Sequence, residues 1–204
     1  MHDHLSSTLT EKIEVLTLDG DAGSGSCGWV VSGVRWASVE IDMQRNLFSA
    51  VGVGTRGVTV VIRPDPRLTL RNAIRWRGEF LHLTSITPSN GRDRQEIKAA
   101  ICYPVTLTAK PQDRTGRDAL NRPTAEPQPE ISFPGILTEL YHRNDADDIY
   151  RSETLRRVLV TPKVISLRTG DLVRHGGEPT YTVRQVMDLD PWKNEYIIER
   201  QEDV

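Results

Sequence analysis

The chain has 204 residues and a formal net charge of -2, with 37% hydrophobic and 26% charged residues. This composition is typical of a globular protein of one or two domains and argues against intrinsic disorder. The near balance of 26 basic and 28 acidic residues lacks the cationic excess that phosphate-driven nucleic-acid binding usually shows.

Period-two alternation of apolar and polar residues dominates the first part of the chain. It is seen in K-I-E-V-L-T-L (12–18), W-A-S-V-E-I (36–41), V-T-V-V-I (58–62) and F-L-H-L-T-S-I (80–86). Such alternation predicts β-strands rather than helices, and the Gly-rich and Pro-rich stretches between them are typical of turns. We therefore predict a small antiparallel β-barrel or sandwich over residues 1–109.

Residues 110–130 contain four prolines and almost no large apolar side chains. A stretch that buries so little surface is predicted to be an exposed linker or arm. Alternation resumes in residues 131–204, for which we predict a second small β-barrel. The predicted fold class is mainly β, with two antiparallel barrel or sandwich domains joined by a Pro-rich linker.

One pattern occurs twice. When Gly78 is aligned with Gly177 and one extra residue is allowed, the apolar positions of 81–86 match those of 181–186. Ile97 then aligns with Ile197, eleven positions after the end of each strand. This spacing predicts a repeated meander of strand, Gly turn, strand, polar turn and strand. The alternative is convergence, because any two hairpins share alternation and a Gly turn.

The sequence gives little indication of a membrane-spanning segment, a signal peptide or a disulfide framework. No apolar run approaches the roughly 20 residues of a membrane-spanning helix, and M-H-D-H-L-S-S-T at the start does not resemble a signal peptide. Cys27 and Cys102, the two cysteines, are far apart and have no metal-site spacing. We expect synthesis in a cytoplasm and no membrane partner.

The motifs that suggest chemistry lack their structural context. Gly52, Gly54 and Gly57 have the spacing of a dinucleotide fingerprint, but a predicted strand follows them where a helix is required. An acidic cluster at Asp145, Asp147 and Asp148 lacks the ligand spacing of a calcium loop. No nucleophile, base and orienting partner can be nominated. We therefore predict no catalytic, cofactor or metal site, and no enzyme.

The order of the elements in residues 9–103 resembles a known family. A first strand, a Gly-rich loop, V-R-W-A-S-V-E-I, a loop carrying Q-R, V-T-V-V-I-R and A-I-R-W-R-G-E-F-L-H-L-T-S-I are similar in order to the head-tail adaptor, or head-closure, proteins of tailed bacteriophages. The resemblance implies a structural virion protein of the neck, assembled in the host cytoplasm, that closes the portal channel and joins head to tail. Family members typically end after one such domain, so the second domain is a departure.

The resemblance also implies partners: a homo-oligomeric ring of six or twelve copies, a portal or adaptor ring, tail terminator or tail tube proteins, and packaged double-stranded DNA in the channel. Two alternatives remain open. One is a tail terminator or tail completion protein, and the other is a nucleic-acid-binding double β-barrel.

In the family, the loop between the second strand and the V-T-V-V-I strand is the channel-facing element, which here is Asp42–Gly57. The predicted channel-facing residues are Arg45, Asn46, Leu47, Phe48, Val51 and Arg56. An alternative for the apolar ones is burial against the barrel, or a short helix that covers its end.

A dense run of arginines surrounds Trp76. On alternating strand positions, Arg75 and Arg77 share one face opposite Trp76, which predicts a buried tryptophan and two arginines facing a neighbouring subunit. The predicted subunit-interface residues are Arg75, Arg77, Arg92 and Arg94. DNA binding by the same patch is the alternative. The other tryptophans, Trp29, Trp36 and Trp192, are predicted to be core or interface anchors.

Overall fold

A computed structural model describes most of the chain as β-structure. The described residues are 8–20, 25–47, 54–89, 91, 93–117, 119–120, 123–139, 155–177, 180–188 and 191–200. Their strands form two closed six-stranded antiparallel barrels and one two-stranded sheet. The predicted mainly β fold with two small barrels is therefore confirmed. Within these residues there is no helix with the length and apolarity needed to cross a membrane.

The first barrel contains all four of the strands predicted from alternation in the first part of the chain. Its strands are β1 (Glu11–Gly20), β2 (Cys27–Leu47), β3 (Gly54–Ile62), β4 (Ala73–Trp76), β5 (Glu79–Pro88) and β6 (Gln95–Cys102). The barrel closes in the order β1-β2-β3-β6-β5-β4. Alternate residues point inward, so Ile13, Val60 and Leu81 are buried in a single core.

The second barrel has the same connectivity. Its strands are β7 (Val105–Lys110), β10 (Ile131–Glu139), β11 (Leu155–Pro162), β12 (Leu172–His175), β13 (Tyr181–Met187) and β14 (Lys193–Arg200). In chain order these are its first to sixth strands, and their order around the barrel is first, second, third, sixth, fifth, fourth, as in the first barrel. The core includes Phe133, Leu159 and Val183, all fully buried.

The repeated meander is the last half of each barrel. Strands β4-β5-β6 correspond to β12-β13-β14, and each middle strand has a register shift at the same place, between Leu83 and Ser85 and between Val183 and Gln185. One aligned pair was wrong. Ile86 pairs with Ile97, whereas Val186 pairs with Tyr196 and not with Ile197, because the second polar turn is one residue shorter.

The predicted domain boundary also needs correction. The chain divides into one unit of Met1–Asp19 and Trp29–Tyr103 and a second unit of Gly20–Gly28 and Pro104–Val204. Residues 105–109, assigned from the sequence to the first domain, belong to β7, whose Leu107 and Ala109 are buried in the second unit. Pairing of β7 with both β10 and β12 closes the second barrel, so it cannot be shared with the first.

Residues 110–130 are not a linker between the barrels. They contain the end of β7 and a hairpin of β8 (Gln112–Arg117) and β9 (Pro123–Pro127), inserted between the first and second strands of the second barrel. In the described residues β8 and β9 pair with each other and with no other strand, which explains the low apolar content of the hairpin. The alternative, that this stretch is an arm, stays a prediction.

The Gly-rich stretch after β1 contributes to the second unit. The Ser132 N–H donates to the Gly25 carbonyl at 2.8 Å, and Ser26 forms a parallel bridge with Ser132. The pairing of β10 with β11 covers only Ile136–Glu139, so Gly25 satisfies a backbone donor of β10 beyond that pairing. Sequence alone assigned this stretch to the first domain.

Candidate assembly surface

The segment predicted to face a channel is largely a hairpin. Strand β2 has 21 residues and pairs with β3 as far as Leu47 opposite Gly54. Arg45, Asn46 and Leu47 therefore lie in a strand rather than in the predicted loop, while Phe48 and Val51 lie outside the described residues. The register shift between Ile41 and Arg45 lets the pairing resume beyond the barrel wall.

The end of this hairpin is two-stranded. In chain order, Gly57 is the first β3 residue that pairs with β6. Residues 54–56 precede it and, in the described structure, pair with β2 alone. Arg56 is exposed, and its register partner on β2 is Arg45. The hairpin end therefore has arginines at two directly opposite backbone positions.

The same strand carries an exposed apolar stripe. Val30, Val34 and Trp36 are 44%, 42% and 61% exposed. They occupy even positions of β2, whereas Ala37 at an odd position is fully buried in the barrel. The apolar side chains therefore point away from the core. Trp36 is thus not a core residue, and the predicted alternative for it, an interface anchor, stays a prediction.

Trp36 lies in a groove, called here the Trp36 groove. It has a volume of about 470 Å³ and is lined by Leu9, Val34, Arg35, Trp36 and Arg63. Arg63 is exposed and makes no ion pair with any residue that the structure describes. The groove therefore combines an apolar floor with an uncompensated cation, a combination suited to an apolar ligand that carries carboxylates.

An ion pair fixes one wall of the groove. The Arg35 Nε and Nη2 atoms donate to Asp65 Oδ2 at 2.9 and 2.6 Å, and the Arg67 N–H donates to Asp65 Oδ1 at 3.0 Å. These hydrogen bonds, the Arg35 ones above all, hold the pKa of Asp65 below its ordinary value. Arg35 is thus held in place by Asp65, whereas Arg63 has no ion-pair partner in the part of the chain that the structure describes.

Two of the predicted interface arginines are bonded within their own barrel. Arg75 Nη1 lies 3.2 Å from Glu14 Oε2, and Arg77 Nη2 donates to Glu11 Oε1 at 2.6 Å. These two bonds and one from Trp76 Nε1 join β1 to β4 and to the β4–β5 turn. The bonds from Arg77 and Trp76 lower the pKa of Glu11. A subunit contact through Arg75 or Arg77 stays a prediction, but their carboxylate partners come from the same chain.

The predicted geometry around Trp76 is partly wrong. Trp76 is buried, as predicted, but the Arg77 guanidinium lies 5.0 Å from the centre of its ring instead of pointing the opposite way. The reason is a tight turn: Arg77 and Gly78 have φ values of 50° and 87° and connect β4 to β5, so alternation stops at Trp76. Arg94 is half-buried and 3.6 Å from Asp93, and Arg92 lies outside the described residues.

The glycine motif has no nucleotide-binding context. Gly54 and Gly57 are in strand β3, and Gly52 lies outside the described residues, as do Asp145, Asp147 and Asp148. No group of three or more His, Cys, Asp or Glu side chains suited to a metal ion occurs within the described ranges.

Sequence reasoning did not single out the Trp36 groove, although a signal was present. In W-A-S-V-E-I the tryptophan shares a face with Ser38 and Glu40, which alternation places in solvent. A large aromatic residue on the polar face of a strand indicates a contact with something outside the barrel. Leu9 and Arg63 had no such signal, because only the barrel brings them beside Trp36.

Comparisons with known proteins give no further guide. No family model matches the chain, and no curated protein sequence matches it.

Proposed function

We propose that the protein is a structural subunit of the neck of a tailed bacteriophage, which closes the portal channel after DNA packaging and joins head to tail. The resemblance to head-closure proteins extends over residues 9–103, and the first structural unit ends at Tyr103. The similar stretch therefore corresponds to one complete barrel rather than to a fragment of a larger domain.

The observation that carries the proposal is the extended β2–β3 hairpin. The resemblance implies that the connection between the second and third strands faces the channel, and here the described strand ends that lead to it, residues 45–47 and 54–56, pair with each other as a two-stranded ladder. Backbone pairing stiffens such an extension along its length, which suits an element that must hold DNA under pressure.

In this proposal, six or twelve copies form a ring on the portal or adaptor, and the tail terminator or tail tube docks on its far side. The Trp36 groove supplies an apolar surface of the kind that locked subunits require. The second barrel lengthens the collar that the ring of copies forms. Packaged duplex DNA passes through the centre of this ring.

The decisive experiment removes the protein from the virus that encodes it. We expect particles that package their genome and then lose it, with heads and tails left unjoined, as seen by electron microscopy and by nuclease sensitivity of the packaged DNA. Full, tailed particles from the deletion would contradict the proposal. Heads that retain DNA but lack tails, together with binding of the purified protein to tail tubes only, would favour the tail-terminator alternative.

A narrower experiment tests the hairpin. Replacing Leu47–Val51 with Gly and Ser should leave assembly on the portal intact while weakening DNA retention, because the replaced residues lie at and beyond the last paired position. Loss of assembly would instead place these residues in a subunit interface.

One observation favours the nucleic-acid-binding alternative, namely the opposition of Arg45 and Arg56. The exposed Arg56 guanidinium is suited to pair with a duplex phosphate. That alternative predicts measurable affinity of the free protein for duplex DNA, falling steeply with salt and reduced in Arg56→Gln. The neck proposal requires no such affinity in the free protein.

A further inference from the structure

The Trp36 groove has the chemistry of an interface centre. Its tryptophan is 61% exposed beside Val34, and the exposed Arg63 has no ion-pair partner among the described residues. Tryptophan and arginine are the residues most enriched at the energetic centres of protein interfaces. An occupant that offers both apolar side chains and carboxylates would match this lining.

A nucleic acid fits this groove less well than a protein segment. Val30 and Val34 continue the stripe away from Trp36, and aliphatic side chains provide no stacking surface for bases. Arg35 is already engaged by Asp65, which leaves Arg63 as the available cation of the groove lining. A phosphate backbone requires several cations in register to release its counterions.

The chain contains a segment of the required chemistry. Residues 140–154, between β10 and β11, read L-Y-H-R-N-D-A-D-D-I-Y-R-S-E-T. Three aspartates, Asp145, Asp147 and Asp148, immediately precede Ile149 and Tyr150. The segment therefore has carboxylates and apolar side chains next to each other in sequence.

We infer that the Trp36 groove of one copy binds the acidic segment 140–154 of a second copy, with Ile149 and Tyr150 against Trp36 and Val34 and the aspartates near Arg63. Both ends of the segment are held on adjacent paired strands, so its fifteen residues can extend at most about 25 Å from the barrel, half of their extended length, which is sufficient to reach a neighbouring molecule. A contact between two different surfaces of identical chains is head-to-tail and generates a ring or an open chain. The inference rests on the proposed many-copy role and names the interface that would build it.

The test uses the full-length chain and a synthetic peptide of residues 140–154. The receptor carries Asp145→Asn, Asp147→Asn, Asp148→Asn, Ile149→Ser and Tyr150→Ser, so that its own segment does not compete. Titration calorimetry should show binding of the wild-type peptide. Trp36→Ser should weaken that binding by about thirtyfold, the size of a hot-spot loss. Arg63→Gln should weaken it by about two- to fivefold, as for an exposed ion pair.

Matched controls separate the groove from general effects. Tyr103→Ser removes an aromatic side chain that is 72% exposed, and Arg174→Gln removes an exposed arginine of the second barrel; neither should change peptide affinity. A peptide with the three aspartates changed to asparagine should bind more weakly and lose the salt dependence. Circular dichroism should be unchanged in every variant, because the altered side chains of the groove are exposed.

Absence of peptide binding, or binding that Trp36→Ser leaves unchanged, would overturn the inference. So would duplex DNA binding that Trp36→Ser abolishes, which would assign the groove to nucleic acid. These outcomes leave the neck proposal standing if particles without the protein still lose their DNA. Conversely, peptide binding in a protein whose deletion yields full, tailed particles would retain the interface and reject the neck.

Discussion

The two barrels have the same strand order but fasten the same connection in different ways. In each, a segment joins the third strand to the fourth: 63–72 in the first barrel and 163–171 in the second. The first is held by the Arg35–Asp65 pair, with Arg35 one-third exposed. The second is held from the barrel interior, where Tyr196 OH donates to the Ile165 carbonyl at 2.8 Å and accepts from the Leu167 N–H at 3.1 Å.

The contrast is sharpest at one equivalent position. Ile97 and Tyr196 occupy corresponding register positions and are both fully buried. The isoleucine contributes only packing, whereas burial of the tyrosine raises the pKa of its hydroxyl and that hydroxyl satisfies two backbone groups. The shared topology therefore requires that the connection between the third and fourth strands be held against the barrel. It does not determine which interaction holds it.

The largest expected effect comes from truncating the buried side chain at this position to alanine in each barrel. Ile97→Ala should reduce the free energy of unfolding by about 2–5 kcal/mol and Tyr196→Ala by about 3–5 kcal/mol, through lost packing and a residual cavity. Urea denaturation measures both. Hydrogen exchange should show the loss of protection mainly in the mutated barrel, and an equal loss in both barrels would contradict their description as two units.

A smaller effect should isolate the hydroxyl. Tyr196→Phe keeps the ring and leaves the Leu167 N–H and Ile165 carbonyl of the second barrel with one partner fewer, at a cost of about 1–3 kcal/mol. Tyr103→Phe, at an exposed tyrosine, is the matched control and should change stability by less than about 0.5 kcal/mol. Equal effects of the two changes would show that the interior fastening contributes nothing.

The Arg35–Asp65 ion pair that holds the 63–72 connection of the first barrel should be weakened by acid. The folded-state pKa of Asp65 lies below the ordinary 3.8, so its contribution is present above that pH and is lost as the pH falls through the lowered value. Asp65→Asn should therefore destabilise by about 1 kcal/mol near neutral pH, and less at lower pH. Urea midpoints of both proteins across this range measure the difference. A stability difference between the two proteins that does not change with pH would show that the Asp65 charge does not contribute.

The smallest effect is expected at Arg75. Its pair with Glu14 is nearly half-exposed on both sides, so Arg75→Gln should cost no more than about 0.5 kcal/mol. If the arginine serves only its own barrel, self-association measured by sedimentation should also be unchanged. Reduced association with unchanged stability would support the predicted subunit contact at this position.

Alternation in the sequence was sufficient for the fold class and for most strands, because a two-residue period with one buried face admits few other structures. It failed where pairing depended on partners distant in sequence. Residues 105–109 alternate equally well for either barrel, and only the pairs with β10 and β12 assign them to the second. The hairpin in 110–130 was missed because strands that pair only with each other need no apolar face.

The Trp36 groove, like the fold, was determined partly by local periodicity and partly by contacts between residues distant in sequence. The sequence by itself determined that two small barrels would form and that Trp36 lies in an alternating strand, since both follow from local periodicity. Only the tertiary structure decided that Leu9 and Arg63 lie beside Trp36 and that Arg77 folds back over Trp76. The reason is physical: periodicity specifies which residues share a face, whereas barrel closure, bulges and tight turns determine which face is covered and which distant residues meet on it.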